Sequence, residues 1–176
     1  MKPLEGVEIR RMAVGDLDHV LTLAESLPQG PHWPRSAYLN AINSQFELES
    51  TPHRIALVVG ASWADLQPGS ILGFVVTSVL PPQAELETIA VAPKSQRHGL
   101  GKLLFRAVAA ELKAAGVSEL LLEVRASNRP ALAFYRTLGF AETGLRPSYY
   151  ADPIEDAILM RLPLAEKLSE EPVNPA

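Results

Sequence analysis

A chain of 176 residues is long enough for one well-buried core, and 47% apolar with 20% charged residues is the balance of a globular domain. A net charge of −4, with no basic run, excludes a general electrostatic attraction to nucleic acid or anionic lipid. The absence of cysteine excludes disulfides, zinc-thiolate sites and a covalent cysteine intermediate.

The opening MKPLEGVEIRRMAVGDL lacks the apolar stretch of a secretory signal. The apolar runs IALVVGA and ILGFVV are too short to cross a bilayer, so a cytoplasmic protein without a membrane partner is expected. VEIRRMA alternates and predicts a first strand. Asp16 is the predicted N-cap of a helix in which Leu17, Val20, Leu21 and Ala24 share a face. PQGPHWPRS is a proline-broken loop, and Ser36 opens a second short helix through Tyr38, Leu39 and Ile42. RIALVV and SILGFVVTSVL are strands joined by the turn-like ASWADLQPG, and AELETIAV is another strand.

From Gly101, a helical stripe runs through Leu103, Leu104, Ala107, Val108, Glu111 and Leu112, with Gly116 at its end. ELLLEV reads as a strand and RPALAFYRTL as a helix stopped by Gly139. FAETGLRPSYY and DAILMRL are closing strands. Residues 165–176, AEKLSEEPVNPA, form a polar tail expected to be loose. The order β-α-α-β-β-β-α-β-α-β-β predicts one α/β (α+β) domain over residues 5–164, a mixed sheet with helices on its faces. It lacks the regular alternation of a doubly wound fold.

Between AELETIAV and the stripe stands QRHGLGKLL, Gln96 to Leu104. A helix start presents unpaired N–H groups, and glycines let the backbone curl so that several converge on an anion. Gly99 and Gly101 fit that role, because a side chain at either would hold a phosphate away, and Arg97 and Lys102 add charge at the rim. The same spacing also fits a tight turn capping a core helix. Neither the Walker loop nor the full G-x-G-x-x-G fingerprint is present.

The flanks of this loop carry a resemblance. IAVAPKSQRHGLGKLL resembles the acetyl-CoA loop of the GNAT superfamily (Gcn5-related N-acetyltransferases), whose pattern Q/R-x-x-G-x-G/A reads here Gln96-x-x-Gly99-x-Gly101. The resemblance implies a single-domain fold with a mixed, mostly antiparallel central sheet and helices on both faces. It implies acetyl-CoA as co-substrate. Ile89, Ala90 and Val91 are then expected to line the pantetheine arm through backbone groups. Arg97, His98, Gly99, Leu100, Gly101 and Lys102 are expected to hold the pyrophosphate. The strand of Ile89–Val91 and the strand LLLEV are expected to splay apart at a bulge, where the thioester enters.

LEVRASNRPALAFYRTLGF, followed by SYY and EDAILM, resembles the RimI branch, the bacterial ribosomal-protein alanine N-acetyltransferases. The pattern is L-E-V-R-x-S-N, then A-x-x-x-Y-x-x-x-G-F, then Y-Y, then E-D-A. PHWPRSAY resembles that branch's tryptophan-containing loop more weakly. Only ADPI separates Tyr150 from Glu155, shorter than in some members, which leaves peptide specificity open. The implied partner is a protein N-terminus, the N-terminal alanine of small-subunit ribosomal protein eighteen, with no direct nucleic-acid contact. Other protein N-termini, lysines or small amines are alternative acceptors, and a non-enzymatic CoA-binding module is an alternative of another class.

Transfer of acetyl from a thioester to an amine needs a base for the ammonium, a donor for the oxyanion and an acid for the thiolate. In ELLLEVR, Leu120, Leu122 and Val124 alternate with Leu121, Glu123 and Arg125, so a strand carries an acid among apolar neighbours. By position Glu123 also reads as a solvated strand-end acid or the partner of an arginine; the resemblance implies the catalytic base. An α-amine with pKa near ~8 needs only a modest base, directly or through water. Tyr135 shares a helix side with Leu132 and Leu138 and also reads as a core aromatic. The resemblance implies that it is the acid, and a phenol with pKa of about 10 keeps its proton at neutral pH.

Asn128 reads as an N-cap, and the resemblance adds a hydrogen bond to the pantetheine arm. Glu85 and Glu87 are fallback bases that also read as a solvated strand face. Tyr149 and Tyr150 line the peptide groove or serve as sheet aromatics. The four histidines have no ligand-like spacing, so no metal is expected, and His98 is expected to be exposed. No serine, histidine and aspartate set points to an acyl-enzyme. Direct attack in a ternary complex is expected.

Overall fold

The computed structural model describes residues 6–30, 32–44, 53–61 and 70–164. The tail 165–176 and the turn at 62–69 lie outside the described residues. The strands are β1 (Val7–Arg11), β2 (His53–Ala61), β3 (Ser70–Leu80), β4 (Gln83–Val91), β5 (Glu119–Arg125), β6 (Ala141–Ala151) and β7 (Ile154–Pro163). The helices are α1 (Leu17–Glu25), α2 (Arg35–Ser44), α3 (Leu100–Ala114) and α4 (Arg129–Thr137). They follow one another in the order read from the sequence.

The strands form one sheet in the order β1-β2-β3-β4-β5-β7-β6. Every neighbouring pair is antiparallel except β4 and β5. α3 is the crossover that two adjacent parallel strands require. The period of two divides the side chains between two apolar layers. From β2, Ile55, Leu57 and Val59 pack with α3 and α4, while Ala56 and Val58 pack with α1 and α2. Leu104, Val108 and Leu112 of α3 fill the first layer, and Leu17, Val20 and Tyr38 of α1 and α2 fill the second. Each large aliphatic side chain buried this way contributes about 1.5–3 kcal/mol.

The N-terminus of α1 differs from the sequence reading in one respect. Asp16 stands at the N-cap position, but its carboxylate makes no bond to the helix that follows. It accepts two bonds of 2.7 Å from the Arg10 guanidinium and one of 2.8 Å from the Ala13 N–H. Arg10 on the adjacent strand outcompetes the helix N–H groups because its bond is bidentate and charge-assisted.

A bulge in β4 positions the site. Thr77 pairs with Leu86 and Val76 with Thr88, which leaves Glu87 as the extra residue. One inserted residue reverses the facing of everything after it. Ala84 and Leu86 point to the α3 layer before the bulge, and Ile89 and Val91 point there after it. Glu87 is fixed by Arg54, whose Nε and Nη2 donate to its two oxygens at 2.7 and 2.8 Å. β4 and β5 pair only from Gln83 and Glu119 to Glu85 and Leu121. Beyond Glu85 the two strands separate, which is the splay expected from the resemblance.

Candidate active site

The splay opens beside the N-terminus of α3. Gly99 is the N-cap of that helix at φ 87° and ψ −3°, a left-handed conformation that favours glycine. A Cβ there would meet nothing within 4 Å, so the loop faces open space. The first intrahelical donor is Leu103, whose N–H reaches the Gly99 carbonyl at 3.0 Å. The N–H groups of Leu100, Gly101 and Lys102 therefore have no partner within the helix. Together with the helix dipole they fit an anion. Arg97, His98 and Lys102 are exposed around it. Leu100, at 1% exposure, sends its side chain into the core and offers this loop only its backbone.

Gly101 has a packing reason to be glycine beside the one its spacing implied. A Cβ there would lie 3.1 Å from Cζ of Phe134 and 3.8 Å from Cγ2 of Val91. The missing side chain lets α4 close against the start of α3. Gln96 braces the loop as well, since its Nε2 donates to the Val91 carbonyl at 3.1 Å and ties the loop to the end of β4. Ile89 and Val91 are half-buried and Ala90 is buried, at the part of β4 that has left β5.

α4 lies beside this loop. Asn128 is its N-cap, and Oδ1 accepts the Ala131 N–H at 3.2 Å. That uses the amide oxygen and leaves the amide NH2 group for another partner. Tyr135 packs against the core layer, with its ring 5.7 Å from both Phe134 and Phe140. Burial, and secondarily Tyr150, pushes its phenol well above the ordinary value.

The opposite side of the splay carries the carboxylates. Leu120, Leu122 and Val124 are buried in the α3 layer, which turns Glu123 to the other face of β5. Glu85, in the last paired position of β4, shares that face. Burial, then the charges of Glu123 and Glu87, raise the Glu85 carboxyl above the usual range. Arg146 of β6 reaches Glu123 with Nη1 3.1 Å from Oε1. Tyr149 is raised above its usual pKa, first by hydrogen bonding to Glu123. Arg125 points the same way but is taken: its Cζ lies 4.1 Å from the Tyr150 ring centroid and its Nη1 3.3 Å from Glu155. Glu155 in turn accepts the Ser127 N–H at 2.5 Å, which locks the β5–α4 turn against β7.

Next to the bulge is a cleft lined by Trp33, Pro34, Ala37, Asn40, Arg54 and Glu87. Thus Glu123, Glu85, Tyr149 and Tyr150 gather on one side of the splay, and the Gly99 loop and Asn128 on the other. Sequence reasoning missed Arg146. Nothing in LRPSYY pairs it with Glu123, because that neighbourhood is created by β7 lying between β5 and β6.

The family model described as "Acetyltransferase (GNAT) family" matches residues 20–140. The chain belongs to this family. It is a GNAT N-acetyltransferase with relatives of the RimI type. The [ribosomal protein bS18]-alanine N-acetyltransferase of Escherichia coli (strain K12) is 46% identical over 101 residues, which cover 56% of this chain and 68% of that one. The crystal structure of the ribosomal-protein-S18-alanine N-acetyltransferase from Escherichia coli superimposes with a TM-score of 0.72 at 31% identity, over 93% of this chain and 97% of that one. Chaetomium thermophilum Naa20, solved in complex with a bisubstrate analogue, gives 0.73 at 26% identity, over 89% and 86%. Among the described residues of the acetyltransferase, no helix is long and apolar enough to cross a membrane.

Proposed function

We propose that this acetyltransferase moves an acetyl group from acetyl-CoA to the α-amine of a protein N-terminus, and that its acceptor is the N-terminal alanine of ribosomal protein bS18. The observation that carries the reading is the splay itself, with an anion-fitting loop on one side and a carboxylate pair on the other. The alanine target is carried over from the Escherichia coli relative.

Bound acetyl-CoA supplies an acetyl thioester, which is attacked at carbon and releases a thiolate. The backbone N–H groups of Leu100, Gly101 and Lys102 hold its pyrophosphate, with Arg97, His98 and Lys102 at the rim and Gly99 giving close approach. The free edge of β4 at Ile89, Ala90 and Val91 lines the pantetheine arm, and the NH2 group of Asn128 donates to it. Glu123 takes the proton of the acceptor ammonium, directly or through one water, and Glu85 adds negative charge beside it. Tyr135 holds its proton across the neutral range, because burial raises its pKa, and delivers it to the departing sulfur. The acceptor and acetyl-CoA are bound together, so the transfer is direct.

The test is initial-rate measurement of thiol release with acetyl-CoA and a panel of acceptors: peptides beginning with alanine, serine or methionine, an N-blocked lysine peptide and a small amine. The expected order places the alanine-initial peptide first. Turnover confined to the lysine peptide overturns the acceptor assignment, and tight acetyl-CoA binding without turnover on any acceptor favours a binding module.

A further inference from the structure

Glu85 and Glu123 place two carboxylates on one face at the start of the splay, and Arg146 sits against Glu123. Its side chain is 54% exposed while that of Glu123 is 17% exposed, so the cation reaches inward from β6 to a carboxylate that is mostly covered. We propose that Arg146 occupies, in the free enzyme, the place beside Glu123 that the acceptor ammonium takes, so that acceptor binding exchanges one cation for another. The inference rests on the reading of Glu123 as the base on the acceptor side. It makes Arg146 a positioning residue that acts through Glu123.

The backbone around Arg146 suits a cation that must leave. Arg146 pairs with Ala157, and pairing of β6 with β7 resumes only at Tyr150 and Glu155. Ser148, in that gap, is left-handed at φ 52° and is pinned by its N–H to Asp156 at 2.8 Å. β6 is the outermost strand and is exposed from Ala141 to Tyr149, so withdrawal of the guanidinium uncovers no core. Its Cζ lies 5.4 Å from the Tyr149 ring centroid, so Tyr149 flanks the guanidinium where it meets Glu123.

The charges point the same way. Facing Glu123 are Glu85 from β4, with Tyr149, Tyr150 and Arg146 from β6. The β7 residue paired with Glu123 is the apolar Leu159, and Arg125 on β5 itself is committed to Glu155 and Tyr150. Among the described residues Arg146 is the cation in contact with Glu123, while Arg146 and Arg54 (the latter held by Glu87) both lower the Glu85 carboxyl. An arriving α-ammonium carries the same charge to the same oxygens. With Arg146 on Glu123 Oε1 the two cations repel each other, and withdrawal of Arg146 relieves that repulsion.

The test uses the full chain with Arg146→Gln, Arg146→Lys and Glu123→Gln, acetyl-CoA and an alanine-initial hexapeptide. Carbon-13 NMR of the glutamate carboxyls in acceptor-free protein runs alongside. In Arg146→Gln, KM for the peptide on the pH plateau is expected to fall about threefold, the strength of an ordinary exposed ion pair. The kcat should stay within about twofold. In acceptor-free protein the Glu85 carboxyl should titrate about half a pH unit higher, the same energy as that threefold change, and Arg146→Lys should bring it back. An unchanged or raised KM, or an unmoved carboxyl titration, overturns the proposal; if no form acetylates the peptide, the titration alone decides. If Glu123→Gln leaves the rate intact, the base assignment fails and this inference with it. If Glu123→Gln slows the enzyme while Arg146→Gln changes nothing, only the role of Arg146 fails.

Discussion

Gly101 lies beneath the ring of Phe134, so close that a Cβ on the glycine would come to 3.1 Å from Cζ. Two functional elements meet there, the start of α3 that presents the anion-fitting loop and the helix that carries Tyr135. A Cβ on Gly99, two residues earlier, would meet nothing within 4 Å, but that residue holds a left-handed φ of 87°. The two glycines should therefore fail differently. Gly101→Ala gains about 0.5–1 kcal/mol of helix propensity but pushes the Phe134 ring by a few tenths of an ångström, and stability is expected to stay within about 1 kcal/mol of the parent. Gly99→Ala is expected to cost about 1 kcal/mol in backbone strain while weakening acetyl-CoA binding more than Gly101→Ala does. Thermal unfolding and calorimetric titration with acetyl-CoA separate the two effects.

Tyr135→Phe keeps the ring that packs against Phe134 and Phe140 and removes only the hydroxyl. The expected result is a fall in kcat of about 10²-fold or more, with acetyl-CoA affinity nearly unchanged. Comparable losses in both would assign the residue to packing. The folded phenol has a raised pKa, so its contribution to stability is present below the unfolded value near 10 and is lost as pH climbs through the folded one. Tyr135→Phe should lessen that alkaline loss in denaturant titrations.

Asp16 gives a stability prediction of the opposite sign. Arg10, and less strongly the Ala13 N–H, hold its carboxyl below the usual carboxylate value against burial. Its contribution is present above the unfolded pKa, near 3.8, and is lost as pH falls through the lower folded value. Asp16→Asn should lower stability at neutral pH by about 1–2 kcal/mol and flatten the acid dependence. Urea unfolding at a series of pH values checks both.

The element order was legible because each segment declares its own period. Leu120, Leu122 and Val124 alternate inward as a strand should, and Leu132, Tyr135 and Leu138 share a helix side that packs on the core. Asn128 caps α4 as its position implied. What was not legible depends on partners distant in the chain. Asp16 reads as a helix cap until Arg10 is seen beside it, and the closeness of Phe134 to Gly101 appears only once α4 is folded against α3. The bulge at Glu87 is set by its register with β3, which no local pattern in ELETIAV discloses. The pairing of Arg146 with Glu123 requires β7 to enter the sheet between their strands. The splay was anticipated from family resemblance, whereas the Arg54 clamp on its bulge was not anticipated at all.

Glu123→Gln removes the proposed base and leaves a side chain of the same shape. The rate is expected to fall most at low pH, where the acceptor amine is hardest to deprotonate, by about 10²-fold or more. An unchanged pH–rate profile would shift the role to Glu85, Glu87 or water.

The most direct test of the central claim is tandem mass spectrometry of one peptide that begins with alanine and contains an internal lysine, after incubation with acetyl-CoA and the enzyme. A single added acetyl group is expected, located on the alanine α-amine and absent with Glu123→Gln. Acetyl found on the lysine with the N-terminus left free would contradict that claim.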